Sequence, residues 1–129
     1  YALCREAGVR DLLVLTGDSH SFWMNTLADD AGAPMGLELG TAGISSPGDF
    51  VESGWDEEAA CQLDTLFAQH VPEVEWTDNM HQGYVRVALS RTRAEATFVA
   101  ADTVLSTEYR TDVVRTTLIE RSDGRLVFQ

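Results

Sequence analysis

Four consecutive apolar residues, Leu12-Leu13-Val14-Leu15, lead through Thr16 straight into the polar string Gly17-Asp18-Ser19-His20-Ser21. A short unbroken apolar run of this kind is the pattern of a strand covered on both faces inside an α/β sheet. The polar string that leaves it sits at the carboxyl end of that strand, which is where open α/β sheets build their sites. An α/β fold is therefore expected, with its chemistry at this strand end.

The flanking segments give the order of the remaining elements. Tyr1 to Ala7 reads as helical turns closed by Gly8, a residue able to take the left-handed conformation that helix ends often need. Phe22 to Ala28 and Met35 to Thr41 are apolar-rich and separated by Asp29-Asp30-Ala31-Gly32-Ala33-Pro34, which predicts a hairpin or two adjacent strands. Residues 42–54 hold Gly43, Pro47, Gly48 and Gly54 and read as loop, unless Gly43-Ile44-Ser45-Ser46 prolongs the strand. From Asp56 to Val71, Ala59, Ala60, Leu63, Leu66 and Phe67 recur at helical spacing, and Pro72 ends the helix. The rest is strand-rich: Val74 to Thr77, Tyr84 to Leu89, Ala96 to Ala100, Val113 to Glu120 and Leu126 to Phe128. Ser122-Asp123-Gly124-Arg125 closes the last pair with an Asp-Gly turn. No repeat and no linker marks a second domain.

At 129 residues and 44% hydrophobic, the chain is one domain, or a piece of one, that folds around a core. Its longest apolar runs, Leu12 to Leu15 among them, fall far short of the roughly 20 residues of a bilayer span. A net charge of -12 with no lysine argues against a nucleic-acid or anionic-membrane surface and suits solubility. Cys4 and Cys61 permit one disulfide without showing that it forms. The chain opens at Tyr1 with no initiator Met, basic region or apolar leader, so residues 1–129 are expected to be a fragment of something longer.

Asp18 and His20, one residue apart, can lean toward the same ion, and carboxylate plus imidazole suits iron, zinc or manganese. Two ligands are too few for a metal centre. The other reading is a polar turn in which Asp18 caps backbone amides. Ser21 and Asn25 either orient metal ligands by hydrogen bonding or bond locally within the turn. Glu38, inside an apolar strand, either serves the site or is an edge-facing solvated carboxylate. Trp23, Trp55 and Trp76 read as packing residues.

Leu13-Val14-Leu15-Thr16-Gly17-Asp18-Ser19-His20-Ser21-Phe22-Trp23-Met24-Asn25 resembles a segment near the C-terminal end of PhoD-like alkaline phosphatases. Further stretches agree in order: Pro34 to Thr41 with Ile44-Ser45-Ser46-Pro47-Gly48, Asn79-Met80-His81, Gly83-Tyr84-Val85, and Phe98-Val99 with Asp102-Thr103-Val104. Met80 stands where the family usually has Pro. The resemblance implies a metallophosphoesterase-type two-sheet sandwich flanked by helices, hydrolysing phosphate esters with iron and calcium. Asp18 and His20 would then sit at the metal centre, and His81 would face the same cleft and hydrogen-bond a phosphate oxygen. It further implies that upstream ligand motifs lie before Tyr1, that the piece alone has little activity, and that the protein is periplasmic or extracellular. Cations in such a site neutralise charge on the phosphoryl oxygens and make a water nucleophilic.

Two alternatives remain. Gly17-Asp18-Ser19 after an apolar strand also resembles the start of GDSL (SGNH) esterases, with Ser19 as nucleophile and Asp78-Asn79-Met80-His81 as the acid and base segment. Against this, Ser19 and His81 are 62 positions apart and no Gly-x-Asn-Asp block lies between them. The other alternative is a non-catalytic acidic, β-rich accessory module that packs on a partner through apolar strands.

Overall fold

In the computed structural model, which describes residues 1–129, a short helix α1 (Ala2–Glu6) precedes the apolar run, which forms β1 (Leu12–Thr16). Strands β2 (Phe22–Ala28) and β3 (Pro34–Gly40) flank the expected turn. Within that turn the Asp29 carboxylate accepts hydrogen bonds from the backbone of Ala31 and Ala33 at 2.8 and 2.9 Å, the local bonding that makes Asp a turn residue. An ion pair between Arg5 and Asp29 ties α1 to it.

The expected loop runs to Gly48 and is followed by α2 (Asp49–Glu52), one turn too short to leave a periodic signal. Helix α3 (Glu57–His70) starts where Asp56 accepts from the Ala59 amide at 2.9 Å, and its first turn carries Glu57 and Glu58. Then come β4 (Val74–Asp78), β5 (Gln82–Leu89), β6 (Arg93–Ala101), β7 (Thr111–Ser122) and β8 (Arg125–Phe128). Strands β6 and β7 extend beyond their apolar stretches because antiparallel ladder partners, rather than side-chain type, set their ends.

The strands form two sheets. One has the order β1-β3-β2-β4, with β1 parallel to β3 and the other pairs antiparallel. The other is an antiparallel meander, β5-β6-β7-β8. Alternation sends Phe22, Met24, Leu37 and Leu39 inward from the first sheet, to meet Ala94, Ala96, Phe98 and Ile119 of the second. Phe98 stands edge-on to Phe22 (centroids 5.6 Å) and to Trp76 (4.9 Å), joining the sheets at the centre. On the opposite face of the first sheet, Phe67 of α3 packs edge-on against Trp23 at 5.3 Å. The result is a two-sheet α/β sandwich with helices alongside.

Within residues 1–129, strand β1 stands at the edge of its sheet with β3 as its one neighbour, and Leu15 is 61% exposed, so these residues do not themselves cover the run on both faces. Trp23 and Trp76 pack as expected, whereas Trp55 rests on Phe50 with its ring centroid 5.2 Å away and stays 40% exposed. Cys4 and Cys61 are both free thiols. No helix is long and apolar enough to cross a membrane.

Candidate active site

The loop leaving β1 holds Asp18 at φ 78° and His20 at φ 54°. Side-chain-bearing residues rarely adopt this left-handed backbone, which costs on the order of 1–3 kcal/mol per residue and persists only where surrounding structure imposes it. The exposed Asp18 carboxylate makes no hydrogen bond or ion pair within the chain. The turn-capping alternative for Asp18 is therefore corrected: it caps no amide. His20 is half-buried, with Nδ1 3.5 Å from the carboxylate of Asp49. Ser21, next along, is buried.

Gln82, 5% exposed at the start of β5, imposes this geometry. Its Nε2 donates to the His20 carbonyl at 2.9 Å, and its Oε1 accepts from the Gly43 amide at 3.2 Å. The Gly83 amide donates to the Gly43 carbonyl at 2.9 Å. A Cβ on Gly48 would lie 2.4 Å from Gln82 Nε2 and 3.2 Å from the His20 carbonyl oxygen, so only glycine lets the Ser46-Pro47-Gly48 turn pass here. Three separate loops thus meet at one edge of the sandwich.

The third loop carries His81. Asp78, at the end of β4 and paired in register with Phe22, accepts from the backbone of Met80 and His81 and lies 2.8 Å from His81 Nδ1. The hydrogen bond that its ring donates to Asp78 raises the His81 pKa above its ordinary value, against the opposing effect of burial. Burial would raise the Asp78 carboxyl, but the bonds from the His81 ring and from the His81 and Met80 amides outweigh it and hold the group below the usual range. Behind this pair, Asn79 is 1% exposed and donates to Asp64 of α3 and to Thr77 Oγ1, which itself donates to the Phe22 carbonyl. Burial pushes the Asp64 carboxyl up.

Glu38 is not the edge-facing solvated carboxylate, and Asn25 does not bond within the turn. Strand β3 lies between β1 and β2, so Glu38 is not edge-facing. Its carboxylate accepts from Thr16 Oγ1 at 2.8 Å and Asn25 Nδ2 at 3.0 Å. Asn25 is a strand residue, not part of the turn, and its Oδ1 is shielded from solvent with no hydrogen-bond partner. Both residues line an open groove of about 600 Å³ on the helix-covered face of the first sheet, together with Ser19 and Trp23. Ser19 Oγ accepts from the Trp23 indole at 2.9 Å, and no hydrogen bond joins Ser19 to His81. This is not the Ser–His contact of a serine esterase.

Sequence reasoning missed Asp49, Gln82, Asp64 and Asn79 as supports of the site. Gln82 was marked only by standing between two motif residues, His81 and Gly83; its partners lie far away in the chain. No three His, Cys, Asp or Glu side chains converge as a cation site within these residues.

The molecule is thus a two-sheet sandwich that brings an Asp-x-His loop and an Asp-x-x-His loop to one edge. A family model described as PhoD-like phosphatase matches residues 1–98, and the chain belongs to that family. A solved structure of PhoD superimposes with a TM-score of 0.71 over 98% of this chain at 15% sequence identity, a likeness of fold. The chain spans 24% of the length of that protein. Comparison with the curated proteins found no match.

Proposed function

We propose that these residues are the C-terminal part of a metal-dependent phosphoric ester hydrolase, of alkaline phosphatase or phosphodiesterase type, with Asp18 and His20 helping to hold cations shared with an upstream segment. Family membership supports ester hydrolysis. The observation that carries the reading is the meeting of the Asp18–His20 loop with the Asp78–His81 loop at one edge of the sandwich, joined through the Gln82 bond to the His20 carbonyl.

A carboxylate and an imidazole together suit iron, and the carboxylate alone suits calcium, the second cation of the family resemblance. When bound, they would neutralise charge on the phosphoryl oxygens and activate a water. His81, held at Nδ1 by Asp78, keeps Nε2 to donate to a phosphate oxygen, and its raised pKa maintains the donating imidazolium to higher pH. Asp49 orients the His20 ring. Asn25 Oδ1 is suited to accept a donor from the upstream segment laid along the groove. Export to the periplasm or the cell exterior follows from the same resemblance.

The test is hydrolysis of p-nitrophenyl phosphate by the polypeptide expressed together with its upstream segment. Activity should be lost on chelation and restored by cations. His81→Ala should slow it about a hundredfold, as for loss of a positioned proton donor. Activity that survives chelation, disappears in Ser19→Ala and is blocked by a fluorophosphonate adduct would overturn the reading in favour of a serine esterase.

A further inference from the structure

A cavity of about 310 Å³ lies beside the candidate site, lined among others by Ile44, Gly83, Tyr84, Thr103, Val104 and Tyr109. None of its lining residues is charged, in a chain of net charge -12. Its size is that of a small-molecule site. Ile44, Tyr84 and Tyr109 are 69%, 48% and 61% exposed, leaving an aliphatic side chain and two phenol rings open to a ligand. Tyrosine in this setting offers an apolar body with a polar tip.

The position of the cavity gives it meaning. Its walls begin at the residues next to the Gln82 clamp: Ile44 follows Gly43, whose amide bonds Gln82, and Gly83 follows Gln82 itself. Since Gln82 Nε2 bonds the His20 carbonyl at 2.9 Å, Gly83 lies within about 12 Å of that carbonyl, given about 3.8 Å between successive Cα atoms. That is the span of a phosphate ester with an aromatic or short apolar alcohol. With no cation in its lining, the cavity has nothing to attract the phosphoryl group, whereas His81 does.

We infer that this cavity binds the uncharged aromatic or apolar alcohol portion of a phosphate ester whose phosphoryl group lies at the His20 and His81 loops. The inference rests on the phosphoesterase reading for the identity of the ligand, and its test needs neither phosphate nor metal, so the two can fail separately. Tyr109 and Tyr84 supply the ring contacts, and Ile44 adds an aliphatic one.

The experiment titrates p-nitrophenol into the polypeptide expressed together with its upstream segment and follows backbone and tyrosine-ring resonances by NMR. Saturable shifts are expected at Ile44, Tyr84, Thr103 and Tyr109, with none of these caused by inorganic phosphate. Tyr109→Ala should weaken binding about tenfold, the upper range for one aromatic contact, and Tyr109→Phe should bind within about twofold of the parent. Should Tyr109→Ala fail to fold, Val104→Trp, which fills the cavity, must abolish the shifts. Shifts that do not saturate or that cluster elsewhere would overturn the inference, as would unchanged binding in a folded Tyr109→Ala or in Val104→Trp.

Discussion

Gln82 and His20, 62 positions apart, are joined by a 2.9 Å hydrogen bond from a buried side-chain amide to a backbone carbonyl. Through it a residue of the second sheet fixes the loop that presents Asp18 and His20. Gln82→Ala leaves the His20 carbonyl and the Gly43 amide without partners and should cost about 1–3 kcal/mol. Gln82→Glu keeps the acceptor for Gly43 but sets a carboxylate against the His20 carbonyl, so it should not rescue. Urea unfolding midpoints measure both, and a wild-type midpoint in Gln82→Ala would show that the clamp bears no strain.

Asp78 and His81 stabilise each other's charged forms, with consequences for pH. His81, raised above its ordinary 6.5, contributes stability that is full below that value and lost as pH rises through the folded-state pKa. Asp78, lowered from its ordinary 3.8, contributes stability that is present above that value and lost as pH falls through the folded-state pKa. The pair is therefore worth most between these two ordinary values. In Asp78→Asn the His81 ring-proton titration should move down toward 6.5 and the loss of stability above neutrality should flatten. An unmoved His81 titration would mean that the pairing does not hold in solution.

Asn79 links α3 to the His81 loop through Asp64. Asn79→Ala removes the amide that offsets burial of the Asp64 carboxylate and should cost about 1–3 kcal/mol. Asn79→Asp should be worse, and increasingly so from acid to neutral pH, because it adds a carboxylate beside Asp64 and Asp78. Hydrogen exchange should show faster opening of α3 in both; protection equal to wild type would contradict the link.

The local elements were legible where a single physical signal dominated. Asp56 before the apolar spacing of α3, Pro72 after it, and Asp123-Gly124 between β7 and β8 each name their element through capping, a missing amide or turn geometry. The Leu12 to Leu15 run did not name its neighbours, because an apolar run reports how much it would bury, not which strands are there to bury it. Glu38 was ambiguous because a carboxylate in an apolar strand looks the same whether solvated or, as found, bonded by Thr16 and Asn25. Gln82 and Asn79 lay beyond reach, since their roles depend on partners fixed only by tertiary pairing.

Phe98 carries the contact between the sheets. Phe98→Ala removes a fully buried ring that touches both Phe22 and Trp76 and should cost about 3–5 kcal/mol, a large part of a typical domain's stability. Phe98→Leu should retain more than half of the lost stability. A thermal midpoint shift of only a degree or two in Phe98→Ala would refute a core centred on this residue.

The central claim is that Asp18 and His20 grip a cation, and bound metal read by mass spectrometry tests it most directly. The polypeptide carrying its upstream segment should hold stoichiometric metal, and Asp18→Ala and His20→Ala should each release at least one equivalent while remaining folded. Full metal content in both folded variants would contradict the account.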